Sequence, residues 1–238
     1  MHLSSNEIEY SKIGIGFEKL DRDVFDPEKA YDKVAALGVK KVRIQSGWLK
    51  TERERGVYDF AWLDKIVDNL LARGMEPWIC LCYGNPLYTD LAKPVFGAVG
   101  CPPIMSEEEM QAWLRYVDAT VRHFSGRITL YEIWNEPDNY ENPKENQMWI
   151  GTKEQYYELY DIASKHLKSC FGDKIKVGGY AACGFYGIFA DPKKYGLSVP
   201  KRDGSRYNSP KEDYRINFFL KFIQYVKQHH APIDFFSW

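Results

Sequence analysis

The chain has 238 residues, of which 45% are hydrophobic and 27% charged, and its 32 basic and 33 acidic residues leave a formal net charge of −1. This length allows one domain with a large core, and we expect residues 1–238 to form a single domain. The balanced charge argues against partners that need a basic surface, namely nucleic acids and anionic membranes. No stretch is apolar for the roughly 18 residues that a membrane span requires.

Predicted strands and helices alternate along the chain. The strands are predicted over 13–17, 41–45, 77–82, 129–134, 175–178 and 233–237, and the helices over 27–37, 60–73, 106–124, 152–171 and 213–229. Helix-start signals support several of these, such as Asp26 before Pro27, and Ser106 with Glu109 three residues later. Strict alternation of strand and helix indicates a parallel sheet.

The long connections all follow strands, over 46–59, 83–105, 135–151 and 179–212, whereas the turns from helix to strand are short. Gly14 and Gly16 lie inside the first strand, so the connection after it is not a glycine-rich phosphate loop, which disfavours a doubly wound dinucleotide-binding sheet. Elaboration at one end of the strands is typical of the (β/α)₈ barrel. We therefore predict an α/β fold of this TIM-barrel type.

A closed barrel of this kind needs eight strands, and the pattern yields about six βα units. An open six-stranded piece would leave two unpaired sheet edges. We therefore expect either a barrel domain that is incomplete at its C-terminal side or one partner of a split barrel. In the second case another polypeptide supplies the last two units.

The cysteines and the N-terminus bear on location and cofactors. Five cysteines are an odd number, and their spacing is not that of a metal site, so we expect no metal and no other cofactor. Cys80 and Cys82 lie two apart on a predicted strand and should share one buried face. The first ten residues carry no signal-peptide pattern. These features favour a cytoplasmic protein, and the alternative is a secreted one whose leader has been removed.

The strongest motif is the octapeptide YEIWNEPD, residues 131–138, at the end of the fourth predicted strand. It resembles the Asn-Glu-Pro signature of a large clan of (β/α)₈ glycosidases, and with GFEKLD, residues 16–21, it is most similar to glycoside hydrolase family 39. The resemblance implies retaining hydrolysis of β-glycosidic bonds in an oligosaccharide or glycoside, xylosidase-like or related. It implies that Glu136 is the general acid/base and that Asn135 binds the sugar 2-hydroxyl.

These residue types suit that reaction. Retaining hydrolysis uses one carboxylic acid that protonates the leaving oxygen and a second carboxylate, about 5–5.5 Å away, that attacks the anomeric carbon. A glutamate at the C-terminal end of a barrel strand lies at the active-site end, and partial burial raises its pKa. The alternative, that Glu136 and Pro137 only begin a surface loop, suits an isolated Glu-Pro better than it suits the octapeptide.

The resemblance places the nucleophile, a glutamate, at the end of strand seven and so beyond residue 238. Glu18, Asp138 and Glu141 follow strands one and four and are local substitutes, but each is more typical of a polar loop residue, and the nucleophile stays unassigned. The functional alternative of a different class is an inactive remnant that still binds carbohydrate.

Further candidate sugar contacts lie within or after the strands. Arg43 and Gln45 alternate with apolar residues on the second strand, so both point into the barrel, and a buried Arg43 needs a carboxylate partner. The resemblance puts Arg43 near the nucleophile, and Glu132 is the other candidate partner, so Arg43 either supports catalysis or forms a structural ion pair. Five residues have aromatic faces or an amide suited to sugars, with packing inside a loop as the alternative for each: Trp48, Tyr83, Asn85, Tyr180 and Trp238.

Overall fold

The computed structural model has, among the residues that it describes, six parallel β-strands that curl into an open part of a (β/α)₈ barrel, as the sequence predicts. It describes residues 3–11, 13–24, 26–92, 106–184 and 210–238. The strands are β1 (Gly14–Gly16), β2 (Lys41–Gln45), β3 (Glu76–Leu81), β4 (Leu130–Ile133), β5 (Lys176–Gly179) and β6 (Phe235–Phe236). Each strand pairs with the next one in the chain, so the order in the sheet is the order in the sequence.

The helices follow the strands on the outside of the sheet. Those of the described residues are α1 (Tyr31–Ala36), α2 (Trp48–Thr51), α3 (Ala61–Ala72), α4 (Glu107–His123), α5 (Lys153–Phe171) and α6 (Pro210–His229). The predicted N-cap of α4 is confirmed, because the Ser106 side chain accepts a hydrogen bond from the Glu109 amide. None of these helices has the length and apolarity that crossing a bilayer requires.

The predicted helix over 27–37 is partly wrong. Asp26 does cap it, by accepting a hydrogen bond from the Glu28 amide, but the first turn, Pro27–Lys29, is a 3₁₀ turn and α1 begins only at Tyr31. The Ala30 amide donates to the Pro27 carbonyl three residues back, at 2.9 Å. This three-residue closure tightens the chain, which is common at helix starts.

The connection predicted over 46–59 contains the short helix α2, which the sequence pattern does not indicate. Its Trp48 ring is buried between the rings of Tyr88 and Tyr116, with centroids 5.3 and 5.5 Å away. Tertiary packing of one large side chain therefore accounts for a helix that is too short to form by itself.

The two faces of the sheet carry different side chains. The outward face packs against the helices with fully buried apolar residues, among them Val42, Ile44, Ile79, Leu81, Tyr131, Ile133 and Val177. The inward face carries Arg43, Gln45 and Glu132 together with Cys80. Cys80 and its neighbour Cys82 are fully buried, as predicted, and are free thiols.

Aromatic side chains fill much of the layer between β4, β5 and the helices α5 and α6. The rings of Tyr156, Tyr160 and Phe222 lie within 6.4 Å of one another, measured between centroids. Backbone carbonyls accept the hydroxyl hydrogens, with Tyr156 donating to Ile133 at 2.8 Å and Tyr160 to Pro232 at 3.0 Å. The aromatic-rich composition of the chain thus serves the core on this side of the barrel.

Candidate active site

A cleft with a volume of about 740 Å³ opens along the inward face of the sheet. Of the residues that the sequence proposes for the site, Arg43, Asn135, Glu136 and Trp238 line this cleft together. Residues within or after β1, β3 and β6 complete its walls, including Glu18, Trp78, Phe236 and Ser237. The cleft thus combines charged groups with aromatic faces, a lining that is typical of ligand sites.

The turn that carries Glu136 has an unusual backbone. Trp134 and Glu136 adopt φ values of 69° and 48°, in the left-handed region that residues other than glycine rarely occupy. Such a residue costs roughly 1–3 kcal/mol and persists only where its surroundings hold it. Here the Trp134 amide donates to the Leu81 carbonyl at 2.9 Å, and the Glu136 amide donates to the Ala181 carbonyl at 3.0 Å. Segments on both sides of β4 therefore fix the position of Glu136.

The Glu136 carboxyl lies half-buried in the wall of the cleft. Burial is the main reason that the pKa of Glu136 is raised above that of an exposed glutamate, and the nearby Glu18 carboxylate raises it further. A hydrogen bond with Cys183 and the charges of Arg43 and Arg215 oppose this rise in pKa without cancelling it. Glu136 therefore keeps its proton to a higher pH than an exposed glutamate does, as a general acid requires.

Arg43 fixes the orientation of the neighbouring Asn135 amide. Its Nη2 donates a hydrogen bond to Asn135 Oδ1 at 2.9 Å, and both side chains are almost fully buried. Because a guanidinium can only donate, the atom of the amide that faces it must be the oxygen. The Asn135 Nδ2 group is then the part of the amide that is left to donate to a ligand.

The Arg43 guanidinium also joins two carboxylates. Its Nε donates to Glu132 Oε2 at 2.6 Å, and its Nη1 donates to Glu18 Oε1 at 2.5 Å. Glu132 is fully buried, and its second oxygen accepts a hydrogen bond from the Ser237 hydroxyl. The structure thus brings Arg43 to Glu132, the local partner that the sequence suggests, and adds Glu18, which sequence reasoning considers only as a substitute nucleophile.

Gln45 and Tyr83 are paired behind this charged group. Gln45 Nε2 donates to the Tyr83 hydroxyl oxygen at 3.0 Å, while Gln45 Oε1 accepts a hydrogen bond from Arg22 Nη2 at 2.6 Å. Both Gln45 and Tyr83 are buried, with 2% and 1% of their surface exposed. Their polar atoms are therefore hydrogen-bonded within the protein.

Three other residues that the sequence predicts as sugar contacts are buried in the core, and a fourth is exposed. Trp48 donates its ring N–H to Glu52, and the Asn85 amide donates to the Glu52 carbonyl at 2.8 Å. Tyr180 lies among the rings of the α6 side, 4.9 Å from Phe218. Trp238, in contrast, is 68% exposed in the cleft. The structure therefore brings Trp238 to Glu136 and keeps the other three out of solvent.

The remaining carboxylates near Glu136 differ in their surroundings. Asp138 is 1% exposed, and its Oδ1 accepts a hydrogen bond from the Cys183 amide at 2.9 Å. Burial raises the pKa of Asp138 to about 7. Glu141 is exposed on the loop, whereas Glu18 lines the cleft. Of the three substitute nucleophiles that the sequence suggests, Glu18 is thus the one that shares the cleft with Glu136.

Sequence reasoning also missed Trp78 and Ser237 as cleft residues. Trp78 is on the same face of β3 as Cys80 and pairs in register with Arg43. The period of two along β3 carries this signal, because a residue in register with an inward-facing arginine must itself face inward. Ser237 lies just after β6, and its contact with Glu132 spans 105 residues, which local sequence patterns do not reveal.

The fold is similar to that of solved barrel enzymes. The chain matches the GH39 enzyme from Xanthomonas axonopodis pv. citri with a TM-score of 0.63 and 20% identity, over 95% of this chain and 40% of that one. It matches xylanase 10B from Thermotoga maritima with a TM-score of 0.56 and 16% identity, over 94% of this chain and 58% of that one. At these identities the likeness shows the shared barrel fold.

Comparison of the sequence with known proteins identifies a family, which the fold alone does not. The model of the glycosyl hydrolases family 39 matches residues 24–235. A β-xylosidase from Caldicellulosiruptor saccharolyticus is 30% identical over 162 residues, which cover 61% of this chain and 31% of that protein. A β-xylosidase from Geobacillus stearothermophilus is 29% identical over 136 residues, covering 53% and 25%. The matches thus span less than a third of either curated relative.

Proposed function

Because this chain belongs to glycosyl hydrolase family 39, we propose that it carries the acid/base side of a retaining β-glycosidase active site, within a single catalytic domain. Glu136 is the general acid/base, and Asn135 binds the sugar 2-hydroxyl. The observation that carries this proposal is one piece of geometry. A glutamate of raised pKa and an amide oriented by Arg43 line the same cleft.

The reaction assigns two roles to Glu136. In the first step its carboxylic acid protonates the leaving oxygen while a carboxylate nucleophile attacks the anomeric carbon, which gives a glycosyl-enzyme and the free alcohol. In the second step the Glu136 carboxylate takes a proton from water as the water oxygen displaces the nucleophile. We propose, from the family resemblance, that this nucleophile is a glutamate beyond residue 238.

The proposed substrate is a β-xyloside or a related β-glycoside. The names of the two curated relatives, both β-xylosidases, support this choice. Trp238 and Trp78 offer faces on which a sugar ring can stack, and Arg43 acts as a positioning residue for Asn135. We propose that five buried side chains shape the cleft from behind: Gln45, Tyr83, Trp48, Asn85 and Tyr180.

A second candidate function is carbohydrate binding without turnover. It is favoured by the lining of the cleft, in which Glu18 is the one described acidic residue besides Glu136 and follows β1, not a seventh strand. A third candidate is one part of a split barrel, in which a second polypeptide supplies the nucleophile. Both keep the same cleft and the same sugar contacts.

The test is release of nitrophenol from aryl β-glycosides by a protein that contains residues 1–238 together with the proposed nucleophile, and by its Glu136→Gln variant. For poor leaving groups we expect a loss of about 10²–10⁴-fold, because general acid catalysis is removed. The loss should be smaller for dinitrophenol, which leaves with little protonation. Glu141→Gln, in the same loop but exposed, is the matched control and should keep its rate.

An unchanged rate in Glu136→Gln on every substrate would refute the assignment. If that protein folds and binds xylose saturably, followed by tryptophan fluorescence, but releases no nitrophenol, the second candidate is favoured. Activity that appears only when a second polypeptide is added would favour the third.

A further inference from the structure

Three side chains of types that can bind metal ions converge on the outer surface, apart from the residues that line the cleft. Asp118 lies on α4, and His166 and Cys170 lie on α5. The distance from Asp118 Oδ1 to His166 Nε2 is 3.5 Å, and the distance from His166 Nε2 to Cys170 Sγ is 3.9 Å. All three ligand atoms lie within 4.8 Å of one another. Neighbouring helices thus supply a carboxylate, an imidazole and a thiol to one point.

The helix geometry explains why these groups meet. His166 and Cys170 are four residues apart on α5, so they project from the same face one above the other. Helices α4 and α5 pack side by side, which brings Asp118 opposite them. Asp118 and His166 are partly exposed, with 23% and 33% of their side-chain surface accessible, and Cys170 is exposed. An ion can therefore reach all three from solvent.

The distances suit a tetrahedral zinc ion. Zinc binds nitrogen and oxygen at about 2.0–2.1 Å and thiolate sulfur at about 2.3 Å. Two ligands on a tetrahedral centre are then about 3.3 Å apart for oxygen and nitrogen, and about 3.6 Å apart for nitrogen and sulfur. The observed 3.5 and 3.9 Å exceed these values by a few tenths of an ångström. The Cys170 sulfur and the Asp118 oxygen lie within 4.8 Å of each other, and rotation of the exposed Cys170 side chain has to bring them closer.

The donor set also selects the metal. A thiolate and an imidazole favour zinc and related transition metals over magnesium or calcium, which prefer oxygen ligands only. One charge opposes the ion, since Arg122 donates from Nε and Nη2 to the two Asp118 oxygens at 2.6 and 3.2 Å. Arg122 is 61% exposed, and an exposed ion pair of this kind is weak, so the arginine can turn into solvent.

We propose that Asp118, His166 and Cys170 form a zinc site that cross-links α4 and α5. Binding replaces the thiol proton of Cys170, which passes to solvent, and water completes the tetrahedron. Because the ion binds the folded arrangement of the two helices, it stabilises the native state. The site is independent of the proposed glycosidase activity, and its test needs no substrate.

Cobalt(II) titration of the whole chain, prepared free of metal and disulfide, is the test. A thiolate–cobalt charge-transfer band in the near ultraviolet and visible bands of tetrahedral cobalt are expected, and zinc should displace both. Cys170→Ser should lose the charge-transfer band, and His166→Ala should weaken cobalt binding at least about tenfold. Cys183→Ser and His229→Ala are the matched controls and should bind as the wild type does.

Thermal unfolding gives a second readout that does not depend on the spectrum. Zinc should raise the melting temperature of the wild type and of both controls, and it should leave Cys170→Ser and His166→Ala unshifted. Two outcomes would overturn the proposal. One is the absence of the charge-transfer band at millimolar cobalt. The other is a band or a zinc-dependent shift that persists in both site variants, because the ion would then bind elsewhere.

Discussion

The two faces of the same sheet are built in opposite ways. The outward face and the helices hold apolar and aromatic groups, and the hydroxyls of Tyr156 and Tyr160 there donate to backbone carbonyls. The inward face holds a chain of charged and polar side chains in which Glu132, Arg43 and Asn135 contact one another in turn. On the outward face, stability comes from apolar surface that is removed from water. On the inward face, stability depends on specific polar contacts, three of which meet at Arg43.

This difference predicts which property a substitution on each face should change. Loss of an outer side chain removes packing energy, which the rest of the core shares, and leaves the cleft unaltered. Loss of an inner side chain leaves a buried charge without its partner and also releases the group that contacts the ligand. Stability and sugar binding should therefore change separately on the outside and together on the inside.

The largest expected effect on stability comes from the outer layer. Phe222 on α6 is fully buried, with the Tyr160 ring 4.9 Å away. Phe222→Ala should lower the free energy of unfolding by about 3–5 kcal/mol, measured by urea unfolding, because it leaves a cavity. Leu220→Ala, two residues away and 47% exposed, is the control and should cost much less. Xylobiose affinity should be unchanged in both. A loss of affinity in Phe222→Ala would contradict the proposal that outer substitutions change stability without changing sugar binding.

The next effect couples stability to binding. Glu132→Gln should lower the free energy of unfolding by about 3 kcal/mol, because Arg43 stays buried with only Glu18 as an anionic partner. Xylobiose affinity should fall with it, since Arg43 also holds Asn135. The control is Glu76→Gln, whose partner Lys41 is partly exposed, and it should cost about 1 kcal/mol or less.

A double substitution separates the two consequences. Arg43→Met combined with Glu132→Leu removes both buried charges, and well-packed apolar pairs are often as stable as the ion pair they replace. We expect most of the stability to return in urea unfolding, while xylobiose affinity stays low because the Asn135 amide has lost its donor. Recovery of both properties would show that Arg43 does not orient Asn135.

The smallest expected effect of a substitution concerns a pH dependence. The pKa of Asp138 is about 7 in the folded chain because of burial, against about 3.9 when unfolded. Between these values the folded state holds the extra proton, so the free energy of unfolding falls as the pH rises from about 4 to about 7. Asp138→Asn should remove this fall and be more stable than the wild type at pH 8, by about 1–2 kcal/mol. Urea unfolding at pH 5 and pH 8 tests this, and parallel curves for the two proteins would contradict it.

Much of the fold was predictable because its signals are local. The alternation of apolar residues gives β2 its observed bounds, Lys41–Gln45, and the residues between Thr152 and Gly172 give the bounds of α5. The short helix α2 was not predictable, since it depends on where the Trp48 ring is buried. The sequence also did not show that Pro27–Lys29 forms a separate 3₁₀ turn.

The candidate site also has residues that the sequence predicts and residues whose placement it does not. Glu136 and Asn135 stand in one recognisable octapeptide, and the strand period places Arg43 inside. Trp48 and Asn85 follow strands as expected, but a position after a strand does not fix where a side chain points, and both are buried. The predicted connections over 83–105 and 179–212 lie largely outside the described residues.

The ion pair between Arg43 and Glu132 has a consequence for synthesis of the chain. The two residues are 89 positions apart, so at about 5–20 residues per second the ribosome needs roughly 4–18 seconds to make Glu132 after Arg43. During that interval β2 can already pair with its neighbours, because the sheet follows the order of the sequence. Glu18, made 25 residues before Arg43, is the carboxylate available to it from the start. Its contact with Arg43 would then serve the nascent chain first and the finished cleft afterwards.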